Sequence, residues 1–418
     1  MKLSISRRGF LQCCFAGATG VTVSSPFDPL LFGDEARGGE ERSLILLWMN
    51  GGPSQVDTFD PKSSHQNGGG VKAIATKQAG VQISENMPML AQRFDDVALI
   101  RSMVTKEGSH ERGRYLLHTG YLPVGATAHP GLGSIVSSEL GADDTSLPNF
   151  VSVTLPSHGP GLLGMPHAAF HVPDPQEKVP NASTAEDVDA LRFRRRLDML
   201  SLLQNSFIAT KRGQEAKDHN EVYQKSVRLM KSRELKAFDL SQEKEAVRDA
   251  YGLNEFGQGC LLARRLVEVG VRCVEVTLDG WDTHLNNNAK SKELAGMVDS
   301  GFSRLLDDLK ERRLLNKTLV VWMGEFGRTP KMNVLGGRDH WPNGWSVAMA
   351  GSNIQGGTVV GKTSTDGTKV TDRPVTVPDL FATVCEALAI DAEKENYTST
   401  GRPIPLVNHG TAVRELFG

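Results

Sequence analysis

Leu44-Ile45-Leu46-Leu47-Trp48-Met49 is apolar at every position, and Asn50-Gly51-Gly52-Pro53-Ser54 stops it abruptly. A run this short with no polar face must be covered on both sides. That reads as a central parallel strand delivering a loop to the carboxyl edge of a sheet. Further runs of the same kind lie at Val97 to Ile100, Phe150 to Val153, Val271 to Leu278, Thr318 to Met323 and Ser346 to Ala350. Between them fall helical patterns at Met87 to Phe94, Glu111 to Leu117, Gly131 to Leu140, Asn254 to Val269, Ala289 to Arg313 and Val377 to Ala389. Alternation of this kind predicts an α/β fold: a doubly wound, mostly parallel sheet with helices on both faces.

Residues 157–240 break the rhythm with a Pro/Gly/His-rich loop and then a highly charged helical segment. They read as a helical and loop insertion or cap within a single α/β domain spanning 43–418. Arg192-Phe193-Arg194-Arg195-Arg196 falls there and reads as a solvated helix face. With 47 basic against 49 acidic residues the net charge is -2, which gives no electrostatic reason to expect nucleic acid or an anionic membrane as partner.

In a parallel sheet, ligands bind beyond the carboxyl ends of the strands, so chemistry is sought just after each apolar run. The first run is followed by Asn50, Asp57 and Asp60, and the run ending at Leu278 by Asp279-Gly280-Trp281-Asp282-Thr283-His284. Met323 leads into Gly324-Glu325-Phe326-Gly327-Arg328, and Arg338-Asp339-His340-Trp341 precedes the last run. Carboxylates and imidazoles converging from several strand ends suit a divalent metal, Zn, Ca or Mg, left partly open to substrate. Asp57 and Asp60 read equally well as turn caps, and Glu325 as a salt-bridge partner of Arg328. Ser109-His110-Glu111-Arg112-Gly113-Arg114 opens a further helix, with Ser109 at its N-cap position.

These motifs, in this order, resemble the family catalogued as domain of unknown function 1501, within the alkaline phosphatase/sulfatase superfamily. The resemblance implies a metal-dependent centre hydrolysing sulfate or phosphate esters, including those of glycans. It implies His284 and His340 as ligands of one metal, together with Asp282 or with Asp279 five residues before His284. Asn50 stands where the superfamily has an aspartate ligand, and Glu325-Phe326 where it has Asp-His, so the second metal position is weakened. Aligning Arg114 and Thr119-Gly120 with the sulfatase helix places His110 in the nucleophile slot, beside Ser109. Arg114, with Arg112 or Arg328, would neutralise developing oxyanion charge, and His110 would ligate metal or deprotonate water. The alternative is a non-catalytic descendant that binds anionic glycans or a protein partner.

Ser6-Arg7-Arg8-Gly9-Phe10-Leu11 and the mildly apolar stretch after it resemble a twin-arginine export signal. Residues 1–35 are therefore expected to be signal and linker, recognised by the Tat machinery, with the mature chain periplasmic or otherwise exported. The apolar stretch is too short for a stable membrane span. Cys13 and Cys14 fall in this signal, while Cys260, Cys273 and Cys385 sit in apolar patterns and read as buried thiols.

Overall fold

The computed structural model describes residues 41–418 except 143–144, 181, 186 and 210–214. The expected export signal, residues 1–35, lies outside the described residues. Eight strands form the central sheet: β1 (Ser43–Met49), β2 (Val97–Met103), β3 (Phe150–Val153), β4 (Phe170–Val172), β5 (Cys273–Leu278), β6 (Thr318–Met323), β7 (Trp345–Ala350) and β8 (Val359–Val360). The spatial order is β8-β2-β7-β6-β1-β5-β3-β4. β1 runs parallel to both neighbours, Leu46 lying opposite Glu275 on β5 and Val321 on β6. Only β7 is reversed, antiparallel to both β2 and β6.

Helices of eight residues or more are α1 (His110–Thr119), α2 (Leu132–Glu139), α3 (Ala190–Ala209), α4 (Glu215–Lys231), α5 (Glu255–Glu268), α6 (Asn287–Glu311) and α7 (Val377–Leu388). Strand alternation sorts them onto the two faces. Leu44, Leu46 and Trp48 enter one core with Leu116 and Leu117 of α1, Ile135 and Val136 of α2, and Leu380 and Phe381 of α7. Ile45, Leu47 and Met49 enter the other with Phe256 and Leu262 of α5 and Val298 and Phe302 of α6. The α/β class, mostly parallel sheet and two helical layers are thus as expected.

Differences are confined to weakly patterned segments. The helix expected from Met87 to Phe94 is one turn, Pro88–Ala91, followed by a short 3-10 turn. Residues 157–240 contain more than a cap, because β4 completes the sheet edge and Leu229, Phe238 and Leu240 are buried in the core. Cys260, Cys273 and Cys385 are free and buried. No helix among the described residues is long and apolar enough to cross a membrane.

Candidate metal centre

Because β1, β5 and β6 are parallel neighbours, their carboxyl ends open onto one crevice. Backbone bonds lace the first two loops together, Asn50 N to Leu278 O at 2.9 Å and Trp281 N to Asn50 O at 3.1 Å. Gly51 has φ +108°, and a Cβ there would lie 2.4 Å from Asp282 N, so only glycine allows this approach. Its N–H donates to Glu325 Oε1 at 2.9 Å. The first residue of α1 brings His110 over the same carboxylate, Nδ1 to Oε1 2.7 Å. A short antiparallel ladder, Gly327–Arg328 with His340–Trp341, returns His340 to the crevice.

Three donor atoms form a closed triangle. Asp282 Oδ1 lies 3.1 Å from His284 Nε2 and 3.4 Å from His340 Nε2, and these two nitrogens are 3.0 Å apart. His110 Nε2 stands beside it, 3.3 Å from Asp282 Oδ1. His110, Asp282 and His340 also place one donor atom each within 4.8 Å of one another.

The far side of each ring explains its orientation. His284 Nδ1 meets Asp339 Oδ1 at 2.8 Å, His340 Nδ1 meets the Gly108 carbonyl at 2.7 Å, and His110 Nδ1 meets Glu325. Each Nδ1 therefore carries the proton and donates it outward, which leaves the three Nε2 atoms facing inward. Imidazoles that hold metals are oriented by such outer partners. Two inward Nε2 atoms 3.0 Å apart are held together either by a hydrogen bond from one doubly protonated ring or by a shared cation. Bonds of about 2.0–2.1 Å to a tetrahedral zinc separate its ligands by roughly 3.3 Å, so the 3.0–3.4 Å triangle fits.

Electrostatics favour the same ligand states. Burial opposes ionisation of Asp282, but the Arg328 hydrogen bond and charge, with His110 and His284, hold its carboxyl down at about 2. Arg328 is fully buried and donates to Asp282 Oδ1 and to the Gly51 and Gly52 carbonyls. Burial depresses His340 and keeps it neutral, whereas the hydrogen bond to Glu325 raises His110 and favours its protonated form. The hydrogen bond from His284 lowers Asp339.

A family described as "Protein of unknown function (DUF1501)" matches residues 41–417. The chain belongs to this family. No curated protein matches it. Similar solved structures include the PsFucS1 sulfatase from Pseudoalteromonas sp., at 14% identity over 85% of this chain and 69% of that one, with a TM-score of 0.40. Another is the phosphonate monoester hydrolase of Agrobacterium radiobacter, at 11% identity over 90% and 77%, TM-score 0.38. A third is a protein in the alkaline phosphatase superfamily from Vibrio parahaemolyticus, at 11% identity over 85% and 68%, TM-score 0.39.

Not every residue that the DUF1501 motifs single out reaches the cluster. Asp57 does not, because its buried carboxylate is taken by Arg338 Nε at 2.8 Å and Asn287 Nδ2 at 2.9 Å. Asp60 instead pairs with Lys62 and accepts a hydrogen bond from Thr363. Asn50 donates to Asp279 Oδ1 at 2.7 Å and accepts from Trp48, so of the two aspartates only Asp282 joins the triangle. Arg328 pairs with Asp282 rather than Glu325. Arg114 donates to the Pro156 carbonyl, and Arg112 makes a bidentate pair with Glu107. Ser109 occupies the N-cap position, but its exposed hydroxyl makes no capping bond.

Phe326 packs against His110 and His340 with ring centroids 5.0 and 4.7 Å away. Among the described residues no second cluster of three metal-ligand groups forms. Asp339 and the Gly108 carbonyl orient His284 and His340. Asp339 was legible only as the residue before His340, and a backbone carbonyl carries no signal in sequence.

Proposed function

We propose that this DUF1501 protein is a metal-dependent hydrolase of sulfate or phosphate esters, exported by the twin-arginine route and acting in the periplasm or outside the cell. The observation that carries the reading is the Asp282–His284–His340 triangle with each histidine's Nδ1 committed elsewhere. Two imidazoles and a carboxylate suit zinc better than calcium or magnesium, which prefer all-oxygen sets. Such an ion, when bound, supplies Lewis acidity to the ester oxygen and to water.

The chain's own residues do the rest. Arg328 fixes the ionised Asp282, and Asp339 and Gly108 fix the two rings. His110, backed by Glu325, holds or accepts a proton at Nε2 beside the triangle. With His110 beside the triangle in this role, the reaction is direct displacement by water and requires no covalent intermediate. The half-exposed side chains of Asp282 and His284 leave one side open to an ester, including one on a glycan.

The test is metal analysis of the purified protein with hydrolysis of aryl phosphate and aryl sulfate esters. About one ion per chain and activity lost in His284→Ala and His110→Ala are expected. A protein that stays metal-free in the presence of zinc and hydrolyses neither ester would overturn the reading. A second reading, non-catalytic binding of anionic glycans or a protein partner, is favoured by one observation: Arg114, Arg112 and Arg328 are all engaged within the protein. Metal-loaded but inactive protein that binds sulfated glycan would establish it.

A further inference from the structure

We propose that helix α3 is a docking face for an anionic phospholipid surface. α3 packs along α4 at the molecular periphery and presents long apolar side chains to solvent. Leu191, Met199, Leu202 and Leu203 are 60%, 60%, 68% and 63% exposed. At about 100° per residue, these four and Arg195 fall within an arc of roughly 120°. Arg192 also lies within the arc, Arg196 borders one edge, and at the other edge the exposed Asp198 stands next to it with Arg194 beyond.

The arginines decide what covers this face. Arg192 leans on Asp187 at 4.0 Å. Arg194, Arg195 and Arg196 are exposed and make no hydrogen bond or ion pair. Unpaired guanidiniums interleaved with apolar chains complement lipid phosphates lying above acyl chains, the arrangement of helices that lie in the membrane interface. A second copy of the chain would set Arg195 and its neighbours against their own like charges. A sulfated glycan would use the arginines but not the leucines, since sugars stack on aromatic rings and no exposed apolar residue of this arc is aromatic. The whole-chain charge of -2 hides the patch because acidic residues elsewhere balance it.

The experiment is co-sedimentation of the full chain with phosphatidylglycerol–phosphatidylcholine vesicles and with pure phosphatidylcholine vesicles. Binding to the first and not the second is expected. At about a factor of five per arginine near a charged surface, Arg194→Gln/Arg195→Gln/Arg196→Gln lowers partitioning by about a hundredfold. Leu202→Ser/Leu203→Ser lowers it severalfold and leaves salt-sensitive binding behind. Both variants change exposed side chains, and unaltered far-UV circular dichroism confirms folding. Equal binding of both variants and wild type overturns the proposal, as does equal binding to neutral vesicles. A concentration-dependent dimer abolished by Leu202→Ser/Leu203→Ser assigns the face to a second copy and overturns it too.

Discussion

Helix α1 carries two histidine–carboxylate clusters about 12 Å apart along its axis, and they are built oppositely. At its first turn His110 joins the open triangle, where each imidazole spends one nitrogen on an outer partner and turns the other inward. Two turns later His118 meets Glu275, both side chains 1% exposed, at 3.3 Å. There His118 Nδ1 faces the Arg114 carbonyl at 2.9 Å, and the second Glu275 oxygen accepts from Ser157 Oγ at 2.5 Å. The Trp48 ring packs against that of His118 with centroids 4.1 Å apart. Burial alone would raise the Glu275 carboxyl, yet the His118 charge and the hydrogen bonds from His118 and Ser157 hold it below its ordinary value. The residue types are the same. What separates the open cluster from the closed pair is which atoms are left over: the inward Nε2 atoms of His284 and His340 in one, none in the other.

The largest effect should come from breaking the closed cluster. Glu275→Leu leaves His118 without a countercharge and is expected to lower unfolding stability by about 3–5 kcal/mol, while His118→Leu/Glu275→Leu recovers most of it. Urea unfolding checks both, and a single variant within 1 kcal/mol of wild type, roughly the value of an exposed pair, would erase the contrast. In the open cluster the pattern inverts. His284→Ala should leave the urea midpoint almost unchanged yet weaken zinc binding by more than about a hundredfold.

Asp339→Asn sharpens the comparison from the outer layer. It retains the ring position but loses the carboxylate, and zinc titration should show about a tenfold to hundredfold loss. A smaller effect is read in pH. Burial, reinforced by the charge on His118, lowers His158 from 6.5 to about 4. Its contribution is complete above pH 6.5 and fades as pH falls toward 4, because protonation then favours the unfolded chain. Between pH 7.5 and 5 the loss should be on the order of 1–2 kcal/mol, and His158→Asn should flatten that slope in urea unfolding. Smallest of all, Arg112→Gln should leave metal affinity and ester hydrolysis at wild-type values, since its guanidinium is occupied by Glu107.

The open cluster was largely legible because its residues follow strands buried on both faces. β1 and β6 announce themselves as unbroken apolar runs, and Asp282, Glu325 and His340 lie just beyond such runs or before the next. The closed cluster was not legible. Glu275 sits in Cys-Val-Glu-Val-Thr-Leu, where alternation suggests a solvent-facing polar residue, and its partner is 157 positions away. Asp57 misleads for the same reason, its true partner Arg338 lying 281 positions on. β4 and β8, three and two residues long at the sheet edges, bury too little to leave a periodic trace.

The reach of β1 also sets a timetable. All seven of its residues are buried, and its sheet partners begin at Leu44 opposite Cys273 and Ser43 opposite Thr318. During synthesis the first strand therefore leaves the ribosome with both edges bare and waits for more than two hundred further residues before either can be covered. A nascent chain in that interval exposes a sticky, unpaired ribbon, the condition in which chaperones are needed most. Fragments ending before residue 273 should fail to form this sheet, whatever their local helices do.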